Sequence, residues 1–407
     1  MLAIRNARVI DGTGRPPVEA CSILIEDGKF TAVSPDACIP DAASVFNADG
    51  RTVMPALLEA HTHFSGSSGF DRPGFGQCRT SYEYSEAREM FLRWGVTAVR
   101  TCGDVCPDIL DFRDAQQNGS FAFASPRVVS VGPWFQRAEG HPAFTVGPQV
   151  GLSDPGVVAR ACIMIDESTD IEAEVDRVAD MNVDAVKVFL ADIDKGNYPV
   201  SVPVLEADKV RRVTDAAHRR GKKVLCHVDG PDEMRTAAEC GVDCIEHLFA
   251  NGQTDTELSD ELVTLLLEKG IQVDPTMICI RRWDDQVPGA RPVYEDLKQA
   301  VKKLYDAGVP LYVGCDSGIP FVPFGLSLHD EMFCLNEAGI PAAEVLHMAT
   351  QKNAELLGLS DCLGTIEPGK DADLILLRED PLTDIRNTKT IDRVWMQGRI
   401  VTDLTGE

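Results

Sequence analysis

The sequence predicts an α/β protein: a (β/α)8 TIM barrel with a small β-sandwich domain formed by both chain ends. The first of two patterns behind this prediction lies in the middle of the chain, where amphipathic helices repeatedly end in glycine and a short apolar strand follows at once. Glycine just past a helix supplies the left-handed cap that turns the chain back into a strand. Such a repeat indicates βα units and a parallel sheet. It occurs at Gly95, Gly221, Gly241, Gly270 and Gly308.

The second pattern is the β-rich character of the two chain ends. Val, Ile and alternating polar positions mark strands at Ala3–Ile10 and Ser22–Val33, and the last 40 residues look similar. A half-sheet exposes its edges and an apolar face unless it finds a partner. We therefore predict one composite β-sandwich domain from residues 1–54 and 364–407, around a barrel of residues 55–363.

Eight apolar segments are the candidate barrel strands. A doubly wound parallel sheet is the alternative arrangement for the same segments. Long loops, which in barrels build substrate pockets, follow three of the strands at 64–81, 132–165 and 276–292. The eight segments are Val53–His61, Val96–Arg100, Arg127–Val131, Ala185–Leu190, Lys223–His227, Cys244–His247, Gln272–Pro275 and Leu311–Asp316.

Composition excludes several kinds of partner. The net charge of −25 would repel a phosphate backbone, which argues against nucleic acid. The sequence has no run of 18 apolar residues, so we expect no membrane span, and the N-terminus lacks the pattern of a signal peptide. The 13 cysteines are odd in number and scattered, which favours reduced thiols in a cytoplasm. We expect a cytoplasmic homo-oligomer that acts on a small molecule.

Ionisable residues stand at the ends of the predicted strands. His61 and His63 are two apart at a strand end, so both rings face one point, as ligands of a divalent metal do. Each of the others follows an apolar run, where an ionisable group is costly unless it is paired or bound to metal. One such residue alone is more simply a satisfied structural residue, but their recurrence at strand ends favours a metal site. These others are Lys187, His227, His247 and Asp316.

The order of these motifs resembles the amidohydrolase superfamily over essentially the whole chain. The tail around Leu363–Leu377, with Asn353–Leu359 before it, is similar to that superfamily as well. Within it, the chain most resembles the branch of prolidase-like and Xaa-Arg-type dipeptidases and ochratoxinase. The resemblance implies a binuclear metal-dependent hydrolase that cleaves an amide C–N bond with a metal-bridging hydroxide.

The resemblance also implies roles for the residues. Lys187 would be carboxylated by CO2 and bridge two divalent metals, most simply Zn2+, with Mn2+ or Co2+ as alternatives. Asp316 would serve as general base and then acid, and His141 would donate to the oxyanion. His61, His63, Lys187 and Asp316 would hold the first metal, and Lys187, His227 and His247 the second.

The substrate class is less determined by the sequence. Prolidase-like members often carry a tyrosine shortly after the fifth-strand histidine, whereas here Asp229 and Gly230 follow His227 and Val228. An N-acyl amino acid, a dipeptide or a related aromatic amide is the first hypothesis, with a carbamate, ester or lactone as the alternative. A mononuclear deaminase and an inactive scaffold are weaker readings, since Lys187 is present and no ligand is missing. Candidate substrate-binding residues are Arg281, Arg282 and Arg137, which could pair with a carboxylate, and Trp283 as an apolar wall.

Overall fold

Parallel strands and helices alternate through the middle of the chain, in a computed structural model that describes residues 1–66, 84–145, 147, 152, 154–191, 202–250, 252–286 and 291–405. The protein is therefore α/β. The glycines predicted to end helices are confirmed as left-handed caps, with φ of 83° at Gly241, 66° at Gly270 and 85° at Gly308. Among the described residues, none of the helices combines the length and hydropathy needed to span a bilayer.

The two chain ends share one mixed sheet of eight strands, in the order β17-β16-β15-β5-β1-β2-β3, with β4 paired to β1. Strand β15 of the C-terminal part pairs antiparallel with β5, placing Leu376 opposite Val53. Phe30 and Trp395 from the two ends bury their side chains in the same apolar cluster. The strands are β1 Leu2–Val9, β2 Val18–Glu26, β3 Lys29–Ser34, β4 Ser44–Asn47, β5 Thr52–Pro55, β15 Leu374–Leu377, β16 Ile391–Met396 and β17 Arg399–Asp403.

Two parallel sheets make up the rest of the strand structure: one of three strands, β6-β7-β8, and one of six, β10-β9-β11-β12-β13-β14. Their strands are almost wholly buried, as expected of parallel strands covered on both faces. They are β6 Leu57–Thr62, β7 Val96–Thr101, β8 Arg127–Ser130, β9 Trp134–Arg137, β10 Cys162–Ile165, β11 Ala185–Leu190, β12 Lys223–Val228, β13 Cys244–Glu246 and β14 Gln272–Asp274.

Helices follow most of these strands. They are α1 Ser85–Arg93, α2 Asp108–Gln117, α3 Pro155–Ala161, α4 Ile171–Asp180, α5 Ala207–Arg219, α6 Pro231–Cys240, α7 Asp260–Lys269, α8 Met277–Gln286, α9 Tyr294–Ala307, α10 Leu326–Glu337, α11 Ala342–His347 and α12 Asn353–Leu356. A π-helical turn, Met348–Lys352, joins α11 to α12, and a 3-10 turn spans Ile385–Lys389.

Segment 311–317 links the two parallel sheets. Tyr312 N donates to Val273 O of β14 at 3.0 Å, and Ala60 N of β6 donates to Val313 O at 3.1 Å. The two sheets also meet at a second place, where Asp184 N, directly before β11, donates to Ser130 O at the end of β8. The segment thus lies between β14 and β6, with its far end beside the carboxyl end of β6.

The predicted strand Leu311–Asp316 is wrong as a regular strand, because only isolated bridges form at Leu311 and Ser317. Side-chain carboxylates accept hydrogen bonds from the backbone N–H groups that a β-ladder would use. Gly314 N donates to the Asp274 carboxylate at 3.0 Å, and Cys315 N donates to Glu59 at 2.9 Å. The ladder is therefore replaced by bonds to buried acids.

Three further boundaries differ from the sequence prediction. The single strand predicted at Val53–His61 is two strands, because β5 joins the mixed sheet and β6 the parallel one. The predicted loop 132–165 contains β9, α3 and β10, and the predicted loop 276–292 contains α8. Most of the third predicted loop, 64–81, lies outside the described residues.

Candidate metal centre

The structure brings together the six strand-end residues singled out in the sequence. Ring centroids lie 5.5 Å apart for His61 and His63, 5.0 Å for His61 and His247, and 4.5 Å for His227 and His247. Asp316 Oδ1 lies 3.1 Å from His63 Nε2. These residues come from β6, β12, the end of β13 and segment 311–317, so the carboxyl ends of separate strands build one cluster.

Lys187, in β11, belongs to the same cluster. Its Nζ lies 5.3 Å from the centre of the Phe189 ring, and that ring stacks on His227 at 4.6 Å. The side chain is fully buried, and within the described part of the chain its Nζ has no hydrogen-bond partner. A buried ammonium without an acceptor is unfavourable, so Lys187 is an unsatisfied group inside the cluster.

Backbone strain marks the same strand ends. His247, Thr276 and Asp316 have φ of 70°, 43° and 60°. Residues other than glycine seldom adopt this left-handed conformation, and it costs on the order of 1–3 kcal/mol at each position. Strain of this kind persists where the surroundings hold it, and it is typical of functional sites.

Each of the four histidines has one ring nitrogen beside a fixed protein group. A ring N–H that donates to such a group leaves the second nitrogen as a lone pair, which is the form a metal requires. The partners are Glu246 Oε2 at 2.6 Å from His61 Nδ1, Gly103 O at 2.7 Å from His63 Nδ1, Asp229 Oδ1 at 3.1 Å from His227 Nε2, and Thr276 Oγ1 at 2.5 Å from His247 Nδ1.

The free nitrogens of His61 and His63 meet the Asp316 carboxylate. With both Nδ1 atoms protonated, Nε2 of His63 at 3.1 Å and Nε2 of His61 at 3.4 Å face Asp316 Oδ1 with lone pairs. Three acceptors at such distances repel one another unless a proton or a metal cation lies among them. The residues present therefore fit a divalent metal ion, and their nitrogen and oxygen donors suit zinc, manganese or cobalt.

Electrostatics favours the protonation states of metal ligands. Burial holds the pKa of His227 and His247 well below the usual range, which keeps both rings neutral. Burial would raise the pKa of Asp316, but the neighbouring imidazoles of His61 and His63 hold it well below its usual value. Burial likewise lowers the pKa of His61, whereas at His63 the Asp316 carboxylate outweighs burial and raises the pKa. A cation bound between them would replace the proton that Asp316 favours on His63.

A buried ionic layer beneath His61 was missed by the sequence reasoning. Arg100 Nη2 donates to Glu246 Oε1 at 2.8 Å, and Arg100 Nε donates to Ala60 O at 2.7 Å. Burial would raise the pKa of Glu246, but the Arg100 guanidinium holds it well below the usual range. The available signal was a glutamate directly before His247 and an arginine inside an apolar strand.

Glu246 and Cys102 also lie close enough to His61 to suggest a second metal site. Arg100 already supplies the positive charge at Glu246. Burial raises the pKa of the Cys102 thiol well above its usual value, so the thiolate that a metal needs is disfavoured there. We interpret this group as support for His61.

Cys279 contacts the proposed acid–base residue. On the first turn of α8, its Sγ lies 3.6 Å from Asp316 Oδ2 and can donate a weak hydrogen bond. The two carboxylate oxygens of Asp316 therefore have different neighbours, because Oδ1 faces the histidines and Oδ2 faces the thiol. Glu331 supports this helix by accepting bonds from the backbone N–H groups of Met277 and Ile278.

His141 lies beside the cluster. Its ring centroid is 5.0 Å from that of His227, and its Nδ1 lies 2.6 Å from Thr145 Oγ1. Burial lowers its pKa to about 3, so the ring is neutral. The structure therefore places His141 where a neutral donor could reach a ligand at the cluster.

The structure pairs the three candidate arginines with protein groups. Arg281 Nη1 donates to Glu337 at 3.1 Å, and Arg282 Nη2 donates to Asp330 at 2.5 Å. Arg137 Nη1 donates to Ile165 O at 3.0 Å. Trp283 is partly buried, with its ring at 5.4 Å from that of Phe321. Among the described residues, no hydrogen bond, ion pair or ring contact joins these four side chains to the histidine cluster.

Alternating parallel strands and helices with this donor set fit a metal-dependent hydrolase. The amidohydrolase family model matches residues 52–401, and the chain belongs to that family.

Relatives and solved structures resemble the chain over nearly its whole length. An uncharacterised protein of Mycobacterium tuberculosis is 24% identical over 404 residues, covering 96% of this chain and 94% of its own. Ochratoxinase of Aspergillus niger is 23% identical over 426 residues, and the match covers 96% of this chain and 85% of ochratoxinase. A structure of a Xaa-Pro dipeptidase with bound methionine superposes with a TM-score of 0.80 at 24% identity, covering 98% and 99%. The last likeness shows a shared fold.

Proposed function

We propose that this protein hydrolyses an amide C–N bond of a small molecule, with two divalent metal ions held by the histidine cluster. The observation that carries the proposal is the meeting of the His61 and His63 lone pairs with Asp316 Oδ1, 3.4 and 3.1 Å away. The names of similar proteins support it, because ochratoxinase and a Xaa-Pro dipeptidase are among them. Family membership supplies the hydrolase class.

His61, His63 and Asp316 would hold one metal, and His227 and His247 the other. Lys187 would stand between them as a carbamate, which replaces a buried ammonium without an acceptor by a two-oxygen anion. Zinc suits imidazole and carboxylate donors best, with manganese or cobalt as alternatives. When bound, divalent metals lower the pKa of water and polarise an acyl oxygen.

The chain's own side chains would move the protons. Asp316, ionised and held at Oδ2 by the Cys279 thiol, would accept the proton of the attacking water and return it to the leaving nitrogen. His141 is neutral. The Thr145 hydroxyl can donate to its Nδ1 at 2.6 Å or to Pro142 O at 3.2 Å, and the first choice would leave Nε2–H as a donor to the acyl oxygen. These two residues would act on opposite ends of the scissile bond.

Among the predicted substrates, the described contacts give less support to recognition of a carboxylate, because Arg281 and Arg282 are already paired with acids. An amide with an apolar or aromatic moiety remains the proposal. We also propose that segment 311–317 completes a closed (β/α)8 barrel, and that residues 1–54 and 364–407 form the composite sandwich domain.

The test is a screen of N-acyl amino acids, dipeptides and aryl amides, with neutral carbamates, esters and lactones beside them. We expect amide hydrolysis that disappears after removal of metal by a chelator and returns with added zinc, manganese or cobalt. Amide turnover that survives complete metal removal would contradict the proposal, as would turnover of esters or carbamates without any amide.

A further inference from the structure

Asp229 is a buried acid beside the cluster. It stands two residues past His227, at the end of β12, and its Oδ1 lies 3.1 Å from His227 Nε2. The backbone is fixed, because Asp229 O accepts bonds from Ala250 N at 2.9 Å and Gln253 Nε2 at 3.1 Å. The carboxylate is therefore held rigidly beside a histidine of the cluster.

The second oxygen of Asp229 lacks a protein partner. The residue is only 4% exposed, and within the described part of the chain Oδ2 has no hydrogen-bond donor. A buried carboxylate oxygen left in this state is costly. The cost disappears when a ligand brings a hydrogen-bond donor to this oxygen, and a charged donor gives the strongest bond.

The position of Asp229 indicates which half of a substrate would reach its Oδ2 atom. Asp229 interacts electrostatically with His141, whose ring lies 5.0 Å from that of His227. Asp316 interacts with His141 less strongly than Asp229 does, and it lies beside His61 and His63. If His141 serves the acyl oxygen and Asp316 the leaving nitrogen, a ligand group at Asp229 belongs to the acyl half.

From these contacts we infer that Asp229 binds a protonated amine on the acyl half of the substrate, so that preferred substrates are aminoacyl amides with a free α-ammonium group. This inference rests on the proposed amide hydrolysis. An ammonium group next to the scissile carbonyl would place its N–H donors on Asp229 Oδ2. A carboxylate at the same place would be repelled, and the paired Arg281 and Arg282 offer it no free partner.

The test compares leucine 4-nitroanilide with 4-methylpentanoyl 4-nitroanilide, which has the same carbon skeleton without the amine. For the wild-type enzyme we expect kcat/KM to be about ten- to hundredfold higher for the free amine, the range for a hydrogen bond to a charged group. Asp229→Asn, whose amide oxygen can still accept from His227 Nε2, should bring this ratio close to one when both enzymes are assayed with saturating metal. Asp255→Asn, the same change on an exposed carboxylate in a neighbouring loop, should preserve the ratio.

The possible outcomes distinguish the role of Asp229 from the proposed amide hydrolysis. Hydrolysis of both anilides by the wild type at equal kcat/KM would overturn the role of Asp229 and leave the proposed function standing. An equal loss on both substrates in Asp229→Asn would show that the residue only supports His227. Hydrolysis of neither anilide would count against this inference, and the broader amide screen would decide whether the proposed function fails with it. The wild-type comparison needs no variant to fold.

Discussion

Replacing Glu246 by glutamine tests the support beneath the metal site. Glu246 accepts from Arg100 Nη2 at 2.8 Å through one oxygen, and its other oxygen lies 2.6 Å from His61 Nδ1. Glutamine keeps the shape but has one acceptor, so its NH2 group must face either the guanidinium or the imidazole N–H. Breaking a buried pair costs about 3–5 kcal/mol of unfolding free energy, and loss of a ligand's outer partner weakens metal binding by about 10–100-fold.

Two measurements on Glu246→Gln separate these effects. Urea denaturation gives the free energy of unfolding, and competition with a chromophoric chelator gives the metal affinity. Asp373→Asn is the matched control, since it breaks the Arg127–Asp373 pair of 2.6 Å outside the cluster. The control should lose stability and keep its metal affinity. Wild-type metal affinity in Glu246→Gln would refute the idea that this layer orients His61.

Two further predictions concern proton transfer and stability. Asp316→Asn should keep the fold and lower kcat by about 10^2–10^4-fold, the range for loss of general acid–base catalysis, and activity within tenfold of wild type would remove Asp316 from that role. His329 is fully buried between Trp94 O and Thr388 Oγ1, and burial lowers its pKa to about 4. Because only the unfolded chain binds the proton readily, the stability from neutral His329 is complete above about pH 6.5 and lost as pH falls towards about 4. Over that window, wild type should lose up to about 3 kcal/mol more than His329→Gln in urea denaturation, and parallel curves would show that His329 is not the cause.

Local patterns in the sequence predicted much of the fold and the cluster. The glycine caps and most parallel strands depend on neighbouring residues, and polar groups at strand ends stand out against apolar runs. Segment 311–316 could not be predicted as it is, because its ladder is replaced by bonds to Asp274 and Glu59, which are distant in the chain. The helix α8 likewise depends on capping by Glu331, 54 residues from Met277.

Side-chain pairing over long distances explains what the sequence could not decide about substrate binding. Arg281 and Arg282 look free in the sequence, but their partners Glu337 and Asp330 are 56 and 48 residues away. Conversely, Glu246 and Arg100 lie inside apolar strands, 146 residues apart, and only the fold shows that they pair. The presence of an ionisable residue is therefore readable in the sequence, whereas its partner is not.

Metal analysis of wild type and Lys187→Ala tests the central claim most directly. We expect about two divalent ions per chain in the wild-type protein, because we propose one position at His61, His63 and Asp316 and a second at His227 and His247, with Lys187 as a carbamate. Lys187→Ala should lose most of this metal, and added short-chain carboxylate should restore part of the metal content and activity. Two ions per chain and full activity in Lys187→Ala, without any additive, would contradict the account.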